Sequence, residues 1–255
     1  EKYYTFSIPK KSGGRRVIVA PNEPLKTIQK NLASILSDDY EEIKSEQKRQ
    51  LQIAHGFLHQ KNILTNADIH RNKRFVLNLD LENFFDSFHF GRVRGYFLKN
   101  RYFLLNKDIA TLVAQLACYG GKLPQGAPSS PIITNLICSI FDYRIWKIAR
   151  KYHLDYTRYA DDLSFSTNEK RFIEKRTDFL NDVITEIEKS GFALNISKTR
   201  FQLKWSRQTV TGIVVNSKLN TPREFYKSTR SMANHLYKTG KFYIDDKEGS
   251  LAQLE

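Results

Sequence analysis

Residues 154–167 read LDYTRYADDLSFST, and the fold turns on how they are read. Two short β-prone arms flank Ala160-Asp161-Asp162, so the stretch predicts a hairpin with acids at its turn. An Asp-Asp pair in a turn is most often a solvated corner, because Asp is a common turn residue. Here Tyr159-Ala160 precede the pair and Leu163-Ser164-Phe165 follow it, and a solvated corner rarely sits so tightly between apolar arms. Two neighbouring carboxylates repel and need a counter-charge.

A third carboxylate lies upstream. Residues 75–81, FVLNLDL, predict a strand with Phe75, Leu77, Leu79 and Leu81 on one face and Val76, Asn78 and Asp80 on the other. Asp80 therefore sits late in a strand, pointing away from a row of large apolar side chains. Carboxylates brought together from separate strands make a divalent-cation site. Mg²⁺ favours one or two carboxylates plus substrate phosphate oxygens. A pair of such ions activates a hydroxyl nucleophile and stabilises a pyrophosphate leaving group.

Farther out, residues 6–20 predict a hairpin turning at Gly13-Gly14, with Lys10, Lys11, Arg15 and Arg16 around the turn. Residues 25–37 predict a helix with Leu25, Ile28, Leu32, Ile35 and Leu36 on one stripe. Residues 51–60 are ambiguous. Residues 92–118 are mostly helical, with a break near 99–105. Pro124, Pro128 and Pro131 frame a loop before an apolar helix from about 132 to 152. A further helix covers 169–190 and ends at Gly191. Residues 209–215 and 242–244 are β-prone, and 223–239 read as a helix.

The 255 residues carry 41 Lys and Arg against 27 Asp and Glu, a net charge of +14. Such an excess points to an anionic partner, nucleic acid or a membrane surface. From Lys189 to Lys241 the only acid is Glu224, set among eleven Lys and Arg with Trp205, Phe225, Tyr226 and Tyr237 interleaved. That pattern suits a nucleic-acid track. No basic helix has the strongly apolar face that membrane-surface binding requires, and no run of about 18 apolar residues occurs. Cys118 and Cys138 are the only cysteines, which excludes a disulfide scaffold and a cysteine-rich zinc module.

Tyr159-Ala160-Asp161-Asp162 resembles the palm signature of reverse transcriptases. Leu79-Asp80-Leu81-Glu82-Asn83-Phe84-Phe85-Asp86 resembles their first catalytic motif, and Leu123 to Pro131, LPQGAPSSP, their template- and nucleotide-positioning motif. All three stand in family order. Asn66-Ala67-Asp68-Ile69-His70 and Val210-Thr211-Gly212 are similar to two elements of the retron branch. The resemblance covers about residues 5–240.

The resemblance implies an α+β right-hand polymerase: fingers and palm, with an antiparallel sheet backed by helices, and a partial thumb. Residues 1–75 would be fingers, 76–91 the first catalytic palm strand, and 92–131 the connection and nucleotide-positioning loop. Residues 132–215 would be palm and primer grip, and 216–255 the partial thumb. It implies Asp80, Asp161 and Asp162 as catalytic metal ligands, with the Leu81 backbone carbonyl completing one site. Two Mg²⁺ ions are expected, with Mn²⁺ as an alternative. Phe85 stands at the sugar-gate position, where the competing reading is a core aromatic. Gln125 and Gly126 would contact incoming nucleotide or template. Lys11 and Arg16 match the triphosphate-binding positions of a fingertip hairpin, and Lys198 would protonate or merely stabilise the leaving pyrophosphate. Asp86 adds a carboxylate of open role. Lys204, Arg207, Arg223, Lys227 and Arg230 are expected on nucleic acid. So are Asn66 and His70, with a satisfied structural histidine as the equal alternative for His70.

A retron reverse transcriptase would copy its cognate structured non-coding RNA into RNA-linked DNA (msDNA). It would prime from a guanosine 2′-hydroxyl, consume dNTPs and associate with an effector protein in anti-phage defence. The expected location is the cytoplasm, with no membrane partner. The alternatives are a group II intron-like or abortive-infection reverse transcriptase, or a non-catalytic RNA-binding scaffold. The start at Glu1 and the short thumb lead us to expect a longer parent polypeptide.

Overall fold

The computed structural model describes residues 2–9, 13–46, 53–244 and 247–249. Strands β1 (Tyr3–Pro9) and β2 (Arg15–Pro21) form the N-terminal hairpin, Tyr3 opposite Pro21 and Pro9 opposite Arg15. Helix α1 (Glu23–Glu46) follows. The hairpin is anchored at its base: the Gln29 amide of α1 donates to the Tyr3 hydroxyl at 2.8 Å and to the Leu116 carbonyl at 2.7 Å. Helix α1 runs nine residues past the expected end, because Tyr40 and Ile43 continue its inward row through a polar stretch. Its buried row is Gln29, Leu36 and Tyr40, while Ile28 and Ile35 of the expected stripe are exposed.

A short helix α2 (Ile63–Ile69) is set by the Asn62 side chain, which accepts from the Leu64 and Thr65 amides. Then come β3 (Phe75–Glu82), a 3₁₀ turn at Phe84–Ser87, α3 (Phe90–Lys99), α4 (Lys107–Ala117) and the long α5 (Ser130–Lys151). Strands β4 (Asp155–Tyr159) and β5 (Asp162–Thr167) form the expected acid-tipped hairpin, and α6 (Phe172–Lys189) follows. The chain ends through β6 (Ala193–Leu194), a 3₁₀ turn at Ile196–Lys198, β7 (Arg200–Leu203), β8 (Thr209–Val210), β9 (Ile213–Val214), α7 (Arg223–Thr239), β10 (Tyr243–Ile244) and β11 (Lys247–Glu248).

One antiparallel sheet organises the rest, in the order β4-β5-β3-β6, with β7 also on β3. The alternation of β3 divides the molecule. Phe75, Leu77, Leu79 and Leu81 enter the main core with Phe165, Ile133, Ile145, Phe179 and Val183 from β5, α5 and α6. On the opposite face Val76 joins a small second core of Ala67, Val210, Ile213 and Val215. Asn78 is half-buried, and Asp80 stands at the open end of the same row. This α+β architecture, an antiparallel sheet backed by helices, matches the sequence expectation.

Candidate active site

Register brings the acids together. Asp80 of β3 lies directly opposite Asp162 of β5. Successive side chains alternate between faces, so both carboxylates leave the apolar side. Asp161 is carried at the turn between β4 and β5. Its carbonyl accepts from the Leu81 amide at 2.9 Å, and the Asp80 carbonyl accepts from the Asn195 amide at 2.8 Å. Ala160 adopts the left-handed conformation at φ 55°, which makes the tight reversal before the pair.

The charges are concentrated and only partly offset. The Lys198 ammonium sits 3.0 Å from both Asp80 oxygens. Burial, and then the Asp80 charge, raise the Asp161 carboxyl above the usual range. Asp162 is pushed up to about 7 by burial first, then by Asp161 and Asp80, with Lys198 and Arg200 opposing. Among the described residues no group of three His, Cys, Asp or Glu forms a ready metal cage. The donor set nevertheless fits Mg²⁺: these are hard oxygen ligands set close together, and burial with mutual repulsion raises the proton affinity of Asp161 and Asp162. In such sites substrate phosphates supply the remaining ligands.

Two clefts meet at the carboxylates. One, of about 680 Å³, is bordered by Arg15, Arg16, Phe57, Leu81, Phe85, Gln125, Asp161 and Lys198 among others. The other, of about 420 Å³, is bordered by Asn78, Ser164, Arg200, Thr209, Thr211 and Gly212, together with Arg16, Lys198 and the three acids. Arg16, Lys198, Asp80, Asp161 and Asp162 thus face both. Phe85 lies at the larger cleft, because Asn83 turns left-handed (φ 47°) after β3 and sends Phe84 inward. Phe85 is half-buried against Phe84 and Phe57, at ring separations of 5.5 and 6.5 Å.

Several expectations need correction or narrowing. Gly126 does not border the described clefts. Its φ of +129° and missing side chain serve the packing of its loop on β2, where a Cβ would lie 2.7 Å from Ile18 Cγ2 and 2.8 Å from the Val19 carbonyl. The Val19 amide donates to the Gln125 carbonyl at 2.9 Å, so the same contact aims Gln125 at the cleft.

Asn66 and His70 are both wholly buried, so neither side chain is exposed for a nucleic-acid contact, and His70 follows the structural alternative. His70 Nδ1 pairs with the Ser166 hydroxyl and Nε2 with the Thr157 hydroxyl, each at 2.7 Å. Burial, with Lys73 and His55 nearby, lowers its pKa to about 3, so the ring is neutral. The Asn66 amide approaches the Thr211 hydroxyl at 3.5 Å. The two retron-like elements are therefore one packed unit, clamped over the sheet beside the smaller cleft.

Asp86 is paired with Lys122 at 2.6 Å. Lys204, Arg207, Arg223, Lys227 and Arg230 are all exposed, but Arg207 is engaged by Glu224 at 2.9 Å. Lys11 lies outside the described residues.

Sequence reading missed Phe57, which reaches the larger cleft from the ambiguous segment and packs 6.4 Å from the Tyr159 ring. It also missed Asn78, Ser164 and Thr209 at the smaller cleft, where Arg200 of the basic track joins them, and the buried Arg158 just before the acid turn. For Asn78 and Ser164 the signal was present: they share the alternating row with Asp80 and Asp162.

A sheet that gathers three carboxylates beneath a basic hairpin defines a polymerase palm, a site for nucleotidyl transfer. The model of the family described as reverse transcriptase (RNA-dependent DNA polymerase) matches residues 8–218. Retron Ec86 reverse transcriptase of Escherichia coli is 36% identical over 243 residues, covering 92% of this chain and 70% of the relative. Retron Mx162 reverse transcriptase of Myxococcus xanthus is 35% identical over 285 residues, covering 99% and 56%. The chain belongs to the reverse transcriptase family and, within it, to the retron reverse transcriptases. It spans 70% and about half of these two relatives, respectively. Among solved structures, telomerase from Candida albicans in complex with a telomeric RNA fragment is similar at a TM-score of 0.64 and 12% identity. That match covers 92% of this chain and 50% of the other. Apo telomerase from Candida tropicalis, truncated from its C-terminal domain, has a TM-score of 0.60 at 16% identity, covering 86% and 55%. Those likenesses concern the fold.

Proposed function

We propose that this chain synthesises DNA on an RNA template by nucleotidyl transfer at Asp80, Asp161 and Asp162. The observation that carries the reading is the β3–β5 register, which sets Asp80 opposite Asp162 with Asp161 tied back to Leu81. When bound, two Mg²⁺ ions (or Mn²⁺) would polarise the attacking hydroxyl and the leaving phosphate oxygens. Asp80, Asp161 and Asp162 would hold them, with the Leu81 carbonyl as a further ligand. Arg16 and Gln125 orient the incoming dNTP in the larger cleft. Phe85 narrows the space beside its sugar, so a ribose 2′-hydroxyl is rejected. Lys198, 3.0 Å from both Asp80 oxygens and bordering both clefts, would stabilise or protonate the leaving pyrophosphate. The exposed Lys204, Arg223, Lys227 and Arg230 carry the duplex by phosphate contacts. In this scheme residues 1–75 act as fingers, 76–215 as palm with its nucleotide loop, and 216–255 as a partial thumb.

Family membership supports the finer reading. The template is a cognate structured RNA, the primer is a guanosine 2′-hydroxyl in it, and the product is branched msDNA made in the cytoplasm for anti-phage defence with an effector protein. No helix among the described residues is long and apolar enough to cross a membrane. The test supplies purified protein with candidate RNAs, dNTPs and Mg²⁺. DNA joined to a single RNA guanosine is the expected product, and Asp161→Ala with Asp162→Ala abolishes it while RNA binding persists. DNA synthesis by that double variant would overturn the catalytic assignment. Unbranched DNA alone would overturn the priming scheme.

A further inference from the structure

Among the described residues Arg158 heads the fully buried side chains by size, and it sits immediately before the Tyr159-Ala160-Asp161-Asp162 turn. Each of its three guanidinium nitrogens donates, and the acceptors come from different parts of the chain. Nε donates to Asp142 Oδ1 at 2.8 Å, and Nη2 donates to Asp142 Oδ2 at 2.8 Å and to Asn135 Oδ1 at 3.0 Å. Nη1 donates to the carbonyl of Ala160 at 3.2 Å. That carbonyl belongs to the one left-handed residue of the Tyr159-Ala160-Asp161-Asp162 turn.

The same node grips the turn from the other side. Asn135 of α5 also donates to the Gly56 carbonyl at 2.9 Å. Gly56 lies so close to the turn that a Cβ there would be 2.7 Å from the Ala160 nitrogen. The flanking backbone is bonded to Arg158 itself, through Arg158 N to Ile53 O and His55 N to Arg158 O, each at 2.8 Å. Asp142 is held in turn by the Tyr156 hydroxyl at 3.0 Å.

A buried ion pair is seldom the most economical way to stabilise a core, since an apolar pair of similar volume often does as well or better. What a guanidinium fork adds is direction: several bonds in one plane with fixed angles. Here the bond left over after Asp142 and Asn135 goes to the turn that carries two metal ligands.

We propose that Arg158, oriented by Asp142 and Asn135, is a positioning residue that holds the Ala160 carbonyl and thereby fixes where Asp161 and Asp162 point. The inference rests on the polymerase reading of those aspartates. Lys in its place keeps the charge but offers one compact ammonium, which cannot serve Asp142, Asn135 and Ala160 together.

Two variants of the full chain test this, Arg158→Lys and the charge-free Asp142→Leu/Arg158→Met pair. Each is checked first for a cooperative thermal transition. Steady-state primer extension then gives kcat and the KM for dNTP, and Mn²⁺ titration without nucleic acid, followed by electron paramagnetic resonance, gives metal affinity directly. A folded variant is expected to lose kcat by about tenfold or more, the scale of a small displacement of reacting groups. Its Mn²⁺ affinity is expected to fall by a similar factor, while RNA affinity stays within about twofold. Either variant, folded and with native kcat and native Mn²⁺ affinity, overturns the proposal. Failure of both to fold also overturns it, since the node would then serve folding alone. An inactive native protein that still binds Mn²⁺ would instead count against the polymerase reading, and the metal titration would judge Arg158 independently.

Discussion

Asp162 is the carboxyl on which the site's charge crowding falls most heavily. Its folded pKa of about 7 stands above the ordinary 3.8, so the folded chain binds the extra proton between roughly pH 4 and 7. The sign follows: this residue's favourable contribution is full below pH 4 and is lost as pH rises through 7. Asp162→Asn therefore raises the melting temperature at pH 8, on the order of 5 °C for a chain of this size. That gain shrinks as pH is lowered toward 5, while DNA synthesis is absent throughout. Melting curves of both proteins at the two pH values check it; a variant less stable than the native chain at pH 8 refutes it. Lys198 was legible as a candidate from its motif. Its grip on Asp80 was not, because 118 residues separate the two partners.

Among the elements, the contact between the N-terminal hairpin and the 123–131 loop sets the width of the larger cleft. Gly126 is its hinge point, with no space for a methyl group against β2. Gly126→Ala is expected to push the hairpin and Arg16 outward, raising the KM for dNTP by roughly tenfold while kcat falls much less, because the carboxylates lie on other elements. Steady-state kinetics with one dNTP varied decides this; an unchanged KM refutes it. The sequence made Gly126 noticeable, but its neighbour is a strand more than a hundred residues away. Helix α2 teaches the same point. Asn66 and His70 stand out as polar residues in a motif, yet the fold buries both, His70 against two hydroxyls from β4 and β5 and Asn66 against Thr211 of the β8–β9 turn. A buried polar residue and a recognition residue look alike in sequence, and only the identity of the partner separates them.

Across the whole molecule the +14 charge has a direction. Arg223, Lys227 and Arg230 lie exposed on α7, a helix with no buried residue, Lys204 is exposed after β7, and Trp205 and Tyr237 stand largely in solvent at 78% and 91% exposure. Arg207 is partly spent on Glu224. Replacing Lys204, Lys227 and Arg230 with Gln should weaken RNA binding uniformly across sequences. It should also flatten the slope of log affinity against log salt by about 2 to 3, one phosphate contact per charge. Titrations at several salt concentrations measure this, and an unchanged slope would remove these residues from the track. Thermal stability should hardly move, since exposed cations contribute little to it.

By itself the sequence left out the short strands β6 and β7 but determined the N-terminal hairpin, the β3 strand, the long helices, the acid-tipped hairpin and the family, and it singled out the three aspartates. Those rest on local signals: alternation, helical spacing, turn residues and short contiguous motifs. Tertiary structure alone decided the long-range pairings. It set Asp80 opposite Asp162, closed Lys198 on Asp80 and seated Gly126 against β2. It chose the structural alternative for His70 over an RNA contact, and it brought Arg158, Asp142 and Asn135 under the Asp161-Asp162 turn. Each of these depends on strand register or on packing between distant segments, and one residue of slip in β3 would turn every one of its side chains to the other face. Chemistry can be read from neighbours in the chain, but geometry belongs to neighbours in space.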